Sequence, residues 1–153
     1  MATTTTRIGR PSKDDLARRE RREREAIAGQ LARAVQHLNH PSRLSESPLC
    51  ELPCVRARAA TLRGQHFARA RVVIAAVRQA QEAAWAQLGE TADAPCLRAL
   101  ADALQGRTRE ESARAAGVSP TEISRRRREA VGIVVETFLE LLQHPSACER
   151  AEP

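Results

Sequence analysis

The amino-acid sequence predicts an all-α, multi-helix protein. Apolar residues recur with a period of about 3.6 along most of the chain, and no stretch shows the alternation that marks a strand. Apolar residues make up 42% of the chain but aromatic residues only 2%. The core therefore has to consist of Ala, Leu, Val and Ile side chains, which favour closely packed helices.

The N-terminal part predicts a tail followed by a long helix. Residues 1–13 are polar and basic and predict a disordered tail, in which Arg7-Ile8-Gly9-Arg10-Pro11 resembles an AT-hook interrupted by Ile8. Residues 14–40 predict an extended helix with a charged first half, stabilised by pairs such as Arg19 with Glu23. We expect this half to project as a solvated helix; phosphate contacts are the alternative. Its second half is amphipathic, with Ile27, Leu31, Val35 and Leu38 on one stripe.

The middle of the chain predicts a connector and two further helices. Residues 39–53 contain three prolines and three serines, a composition that interrupts long helices. Residues 55–90 predict a helical core segment whose two helices end at Gly64 and Gly89. In the longer helix one face carries Val73, Val77, Ala84 and Leu88.

Residues 91–143 predict three helices in close succession, before a flexible tail over residues 144–153. The first is leucine-rich and ends at Gly106. The second and third each begin with a capping box, in which a hydroxyl accepts a hydrogen bond from a free backbone amide. The two boxes are Thr108 with Glu111 and Ser119 with Glu122.

The second and third helices have the spacing of a helix-turn-helix. Ala113 stands where the two helices cross, Gly117 at the corner, and Ile123 in the core of the second helix. With these residues the segment 97–131, LRALADALQGRTREESARAAGVSPTEISRRRREAV, resembles the DNA-binding domain of LuxR-type regulators and the promoter-reading C-terminal region of sigma factors. The resemblance implies that the last of the three helices is a recognition helix, which enters the major groove of DNA.

A phase of about 100° per residue sorts the side chains of the recognition helix. The outward candidates for base contacts are Thr121, Ser124, Arg125 and Arg128. Arg125 is the first of them, because arginine binds guanine O6 and N7 in bidentate fashion. The candidates for phosphate contacts are Arg107, Thr108, Arg109, Arg126 and Arg127. Ser112 and Arg126 depart from the motif, which usually has apolar residues there, and Arg127 lies toward the predicted buried side.

Residues 130–143 carry more apolar side chains than one helix stripe can hold. Two explanations stay open. The surplus is buried within the monomer, or it packs against a second copy in a homodimer, which would match a two-fold DNA site. The helix either continues through Gly132 or restarts after it.

Charge and motifs narrow the classes of function. The formal net charge of +6 favours a polyanionic partner, although a GC-rich genome would also enrich arginine and alanine. No P-loop, G-x-S-x-G or H-E-x-x-H motif occurs, so we expect neither an enzyme nor a cofactor. No segment reaches the roughly 18 apolar residues of a membrane span, and the first residues lack the apolar core of a signal peptide. A cytoplasmic, nucleoid-associated protein with no membrane partner is the expectation.

A metal or thiol site is a weaker alternative. His37, His40, Cys50 and Cys54 could bind zinc tetrahedrally, although their spacing matches no established zinc pattern. Cys50 and Cys54 could also form a redox pair. Ordinary buried or solvated residues are the default reading, with all four cysteines, Cys148 included, as reduced thiols.

The sequence therefore predicts a bacterial, sequence-specific regulator of transcription that binds double-stranded DNA through its C-terminal helix-turn-helix. One alternative is an interaction adaptor that binds a sigma factor or RNA polymerase without reading bases. A second alternative is a zinc- or thiol-dependent sensor.

Overall fold

The computed structural model describes residues 12–143, and within that range the fold is all-α, as predicted, with no strand. Two 3-10 turns, Val35–His37 and Pro48–Glu51, separate the first helices. The α-helices are α1 (Lys13–Ala34), α2 (Pro41–Leu44), α3 (Pro53–Ala59), α4 (Ala68–Leu88), α5 (Ala94–Leu104), α6 (Arg109–Ala116) and α7 (Pro120–Gln143). The AT-hook-like segment, almost all of the predicted N-terminal tail, the C-terminal tail and Cys148 lie outside the described residues.

The first helix is exposed in its charged half and packed at its end. Ser12 caps α1, its hydroxyl accepting a hydrogen bond from the N–H of Asp15 at 3.2 Å. The helix is exposed through residue 26, and near its end the side chains of Leu31 and Ala34 are buried. It ends at Ala34, and the 3-10 turn follows, so the single helix predicted over residues 14–40 is divided near its end.

The predicted connector over residues 39–53 folds into short helical pieces rather than an extended link. It contains α2 and the 3-10 turn at Pro48–Glu51, and it ends where α3 begins. Leu44 and Leu49 from these pieces are fully buried. The connector is therefore part of the body of the protein.

A shared hydrophobic core joins the helices predicted as separate segments. It contains buried residues of α1, α4, α5 and α7 together, so residues 55–90 and 91–143 form one packed unit. The largest fully buried side chains are Phe138, Leu31, Leu38, Leu44, Leu49, Leu97, Leu100, Ile123 and Leu142. As the composition predicts, aliphatic side chains dominate this core.

The last helix is the central element of the packing. α7 continues through Gly132 without interruption, and it contacts α1, α3, α4, α5 and α6. Its surplus apolar residues are largely buried by these contacts, with Val134 and Phe138 fully enclosed. The apolar C-terminal half of α7 therefore needs no second copy of the chain to cover it. None of the helices within residues 12–143 combines the length and apolar character that crossing a bilayer requires.

Candidate nucleic-acid interface

α6 and α7 meet at a tight corner built by glycine. Gly117 follows the last residue of α6 with φ 69° and ψ 32°, a left-handed conformation that glycine adopts at no steric cost. The N–H of Val118 then donates to the carbonyl of Ala113 at 3.1 Å, which closes the end of α6. Because α7 begins at Pro120, only residues 117–119 separate the two helices.

The hydroxyl caps predicted for α6 and α7 both form, at Thr108 where α6 begins and at Ser119 where α7 begins. The hydroxyl of Thr108 accepts from the N–H of Glu111 at 3.1 Å, and the hydroxyl of Ser119 accepts from the N–H of Glu122 at 3.2 Å. The second half of each predicted capping box does not form within residues 12–143, because neither Glu111 nor Glu122 accepts a hydrogen bond from the backbone N–H of its capping residue. The Glu122 carboxylate binds the guanidinium groups of Arg125 and Arg126 instead.

A small apolar cluster fixes the corner against α5. Ala99 of α5, Ala113 of α6 and Ile123 of α7 are buried together, and Val118 packs against them. Alanine at the two crossing points lets the three helices approach closely. The predicted spacing of Ala113, Gly117 and Ile123 thus corresponds to one packed junction.

A polar network takes the place of the apolar contact that position 112 would otherwise make. Ser112 is buried, and its hydroxyl donates to Asp102 of α5 at 2.9 Å. Arg127 donates from Nη2 to Ser112 Oγ and to the carbonyl of Arg107, both at 3.3 Å, and from Nε to the carbonyl of Ala99 at 3.2 Å. Burial lowers the pKa of the Arg127 guanidinium, and nearby Asp102 opposes that shift.

Arg127 therefore ties α7 to α5 and to the α5–α6 loop, which explains why it lies toward the inner side of the helix. Asp102 also accepts from Arg107 Nη1 at 3.4 Å. The network supplies hydrogen bonds for a hydroxyl and a guanidinium that would otherwise be desolvated without partners.

One surface groove, with a volume of about 780 Å³, collects most of the predicted site residues. We call it the basic groove. Seven of the nine predicted residues line it: Arg107, Thr108, Arg109, Thr121, Ser124, Arg127 and Arg128. Among the described residues that line it there is no aspartate or glutamate. Arg109 Nη1 donates to Ser124 Oγ at 3.3 Å, which links the start of α6 to the exposed face of α7.

The opposite wall of the basic groove comes from the end of α1 and the turn after it. Its polar members are Arg33, Gln36, Asn39 and His40. The Asn39 side-chain amide donates to the carbonyl of Ala103 and lies beside Gly106, so this wall is attached to the end of α5. None of these four residues carries a sequence motif that predicts DNA binding; His40 is only a weak candidate for a metal ligand.

Arg125 and Arg126 lie outside the basic groove. Arg125 is exposed and is held by Glu122 at one side and Glu129 at the other. The hydrogen bond from Arg125, aided by Arg126, lowers the pKa of the Glu122 carboxyl to about 2, and the same pairing raises the pKa of Arg125. Arg126 donates to Glu122 at 3.2 Å and is only 21% exposed. Both side chains would have to exchange a carboxylate partner to contact a base or a phosphate.

The residues proposed for metal binding are not assembled. Among residues 12–143 no group of three or more histidine, cysteine, aspartate or glutamate side chains is placed to hold a metal ion. The thiol of Cys50 is buried and donates to the carbonyl of Leu44 at 3.3 Å. Burial raises the pKa of this thiol, which disfavours the reactive thiolate. Cys50 and Cys54 are both free thiols.

The chain matches no protein-family model, no curated protein and no solved structure.

Proposed function

We propose that the protein is a regulator of transcription that binds double-stranded DNA in a sequence-specific manner, with α6 and α7 as its helix-turn-helix and α7 as the recognition helix. The observation that carries the proposal is the basic groove. Five arginines line this groove, two of them from α7 itself: Arg33, Arg107, Arg109, Arg127 and Arg128. Positive charge concentrated beside an accessible helix favours a polyanion, and DNA is the polyanion that a helix of this kind fits.

The first candidate for a base contact is now Arg128 rather than Arg125. Arg128 is exposed and lines the basic groove, and within residues 12–143 its guanidinium group makes no hydrogen bond or ion pair. Arg125 is held by Glu122 and Glu129, which a base would have to displace. Thr121 and Ser124 line the same groove as Arg128, and we assign them as further candidates for base contacts. We assign phosphate contacts to Arg107 and Arg109, which also line the groove.

The experiment measures the affinity for a selected duplex and for a scrambled duplex over a range of salt concentrations. The native protein should prefer the selected duplex. Arg128→Ala should flatten that preference, because a bidentate arginine–guanine contact contributes about 1–3 kcal/mol of discrimination. Arg114→Ala is the matched control, since Arg114 is an exposed arginine of α6 that does not line the groove.

The outcomes separate the candidate functions. Equal binding of both duplexes by the native protein would rule out specific reading, and no binding to either at low salt would leave an adaptor for a sigma factor or RNA polymerase as the better hypothesis. A regulator of this kind acts on the nucleoid in the cytoplasm. If it binds a two-fold site as a homodimer, sedimentation of the complex will give two chains per duplex.

A further inference from the structure

The basic groove has a second wall that a helix-turn-helix alone would not provide. Arg33 from the last turn of α1 and His40 from the following loop face the same space as Arg128. Gln36 and Asn39 contribute amide groups on the same wall. The groove therefore lies between two separate parts of the chain, and both contribute cations and neutral hydrogen-bonding groups.

This second wall is held in place by the core. Leu31 and Leu38, on either side of Arg33, are buried at 0% and 2% exposure. An ion pair of 3.0 Å between Arg24 and Glu136 joins α1 to the outer side of α7. The core thus holds the chain in place on both sides of Arg33. Binding of a ligand by the Arg33 guanidinium therefore does not carry the entropic cost of ordering a free tail.

The charges that line the groove favour a bound anion. Neither the guanidinium group of Arg33 nor that of Arg128 makes a hydrogen bond or an ion pair within residues 12–143. Asp102 binds Arg107 and Ser112, and Glu110 binds Arg109, so these two carboxylates are paired with groups other than Arg33 and Arg128. Cations that line the same groove repel one another, and an anion bound between them offsets that repulsion.

We propose that the α1 wall is part of the DNA site, and that the groove between Arg33 and Arg128 receives the phosphodiester backbone of one DNA strand. The inference rests on the proposed function. Arg33 and His40 then contact phosphates from one side while α7 enters the adjacent major groove. Such contacts fix the position of the recognition helix on the duplex and carry no sequence information themselves.

The test compares Arg33→Gln with Arg63→Gln. Both remove one exposed arginine, and Arg63 lies in the loop between α3 and α4, away from the basic groove. Affinity for the selected and the scrambled duplex is measured by fluorescence anisotropy between 0.05 and 0.3 M salt, concentrations of about the range over which counterion release is resolved. Thermal unfolding verifies that both variants are folded.

The expected result is specific to a phosphate contact. Arg33→Gln should lower the affinity for both duplexes equally, by about eightfold at about 0.1 M salt. It should also reduce the slope of log affinity against log salt by about 0.9. The preference for the selected duplex should persist. Arg63→Gln should change neither the affinity nor the slope.

Three results would overturn the inference and leave the proposed function intact. In the first, the native protein binds DNA, and the Arg33→Gln and Arg63→Gln variants have the same affinity for it and the same salt dependence. In the second, Arg33→Gln loses affinity only for the selected duplex, which would make Arg33 a base reader. In the third, the native protein binds inorganic pyrophosphate, Arg33→Gln abolishes that binding, and duplex affinity is unchanged, which would identify a site for a small phosphate ligand. Failure of the native protein to bind any duplex would instead refute the proposed function itself.

Discussion

Replacing Arg127 should destabilise the fold, whereas replacing its neighbour Arg128 should not. Arg127 is partly buried and donates to two carbonyls and to the Ser112 hydroxyl, and Arg128 is exposed and makes no such bond within residues 12–143. Methionine is a matched replacement at both positions, because it keeps the unbranched stem and the helix propensity while removing the guanidinium. The pair Arg127→Met and Arg128→Met thus isolates the network.

The expected loss follows from the hydrogen bonds. A hydrogen bond from a charged donor contributes about 1.5–3 kcal/mol, but the three bonds of Arg127 are long, at 3.2–3.3 Å, which places each at the lower end. Ser112 keeps its bond to Asp102, and removal of the guanidinium recovers its desolvation cost. We therefore expect Arg127→Met to lower the free energy of unfolding by about 2 kcal/mol.

The assay is urea unfolding followed by circular dichroism. With a slope of about 2 kcal/mol/M for a chain of this size, the Arg127→Met midpoint should fall by about 1 M urea. Arg128→Met should stay within about 0.5 kcal/mol of the native protein, as exposed substitutions usually do. Coincident midpoints for the two variants would refute the reasoning, because they would mean that the internal contacts of Arg127 add nothing to stability.

Three further predictions concern other parts of the molecule. In an NMR titration the Glu122 carboxyl should have its midpoint near pH 2, far below its usual 4.5, and Arg125→Met should move that midpoint upward. Since the pKa is depressed in the folded protein, the pairing stabilises the fold above about pH 4.5, and this stabilisation is lost as the pH falls through 2. An unchanged midpoint in the variant would disprove the pairing. Gln81→Met should raise the free energy of unfolding by about 1 kcal/mol in urea melts. The reason is that the buried Oε1 of Gln81 has no partner within the described residues, while its Nε2 donates only to the carbonyl of Leu97. A loss of stability would show that this hydrogen bond outweighs the cost of the unpaired oxygen. Phe67→Asn should raise the melting temperature and increase the free energy of unfolding by about 1 kcal/mol. Phe67 precedes α4 with φ 55° and is 46% exposed, and asparagine tolerates that left-handed conformation better. An equal or lower melting temperature would contradict this account.

Local features of the fold were readable from the sequence because neighbouring residues determine them. Gly117 has the positive φ of 69° that its place at the corner predicts, and α5 ends just before Gly106 as predicted. The caps at Thr108 and Ser119 form for the same reason. The predicted stop at Gly64 is wrong, because α3 already ends at Ala59. The ion pairs of Arg125 were also within reach, since Glu122 and Glu129 stand three and four residues away on the same helix. These two carboxylates, and not the outward phase of Arg125 alone, determine what its side chain binds.

The second wall of the basic groove could not be predicted in this way. The stripe that contains Leu31 and Leu38 indicates which face of α1 is buried, but it does not indicate which helix covers that face. The contact between α1 and α7 joins residues more than 100 positions apart, such as Arg24 and Glu136 with a separation of 112. Only the assembled core decides that Arg33 and Arg128 share one groove.

The two halves of α7 belong to different parts of the molecule, the core and the proposed DNA site. The C-terminal half of α7 is buried in the core through Val134 and Phe138, and its N-terminal half carries Arg128 into the basic groove. The α1 wall is anchored in the same core, so the distance between the two walls is set by packing rather than by a flexible hinge. A groove of fixed width accepts a DNA backbone only where the duplex can take the matching shape. Sequence-dependent groove geometry and deformability would then contribute to selectivity alongside the base contacts of α7.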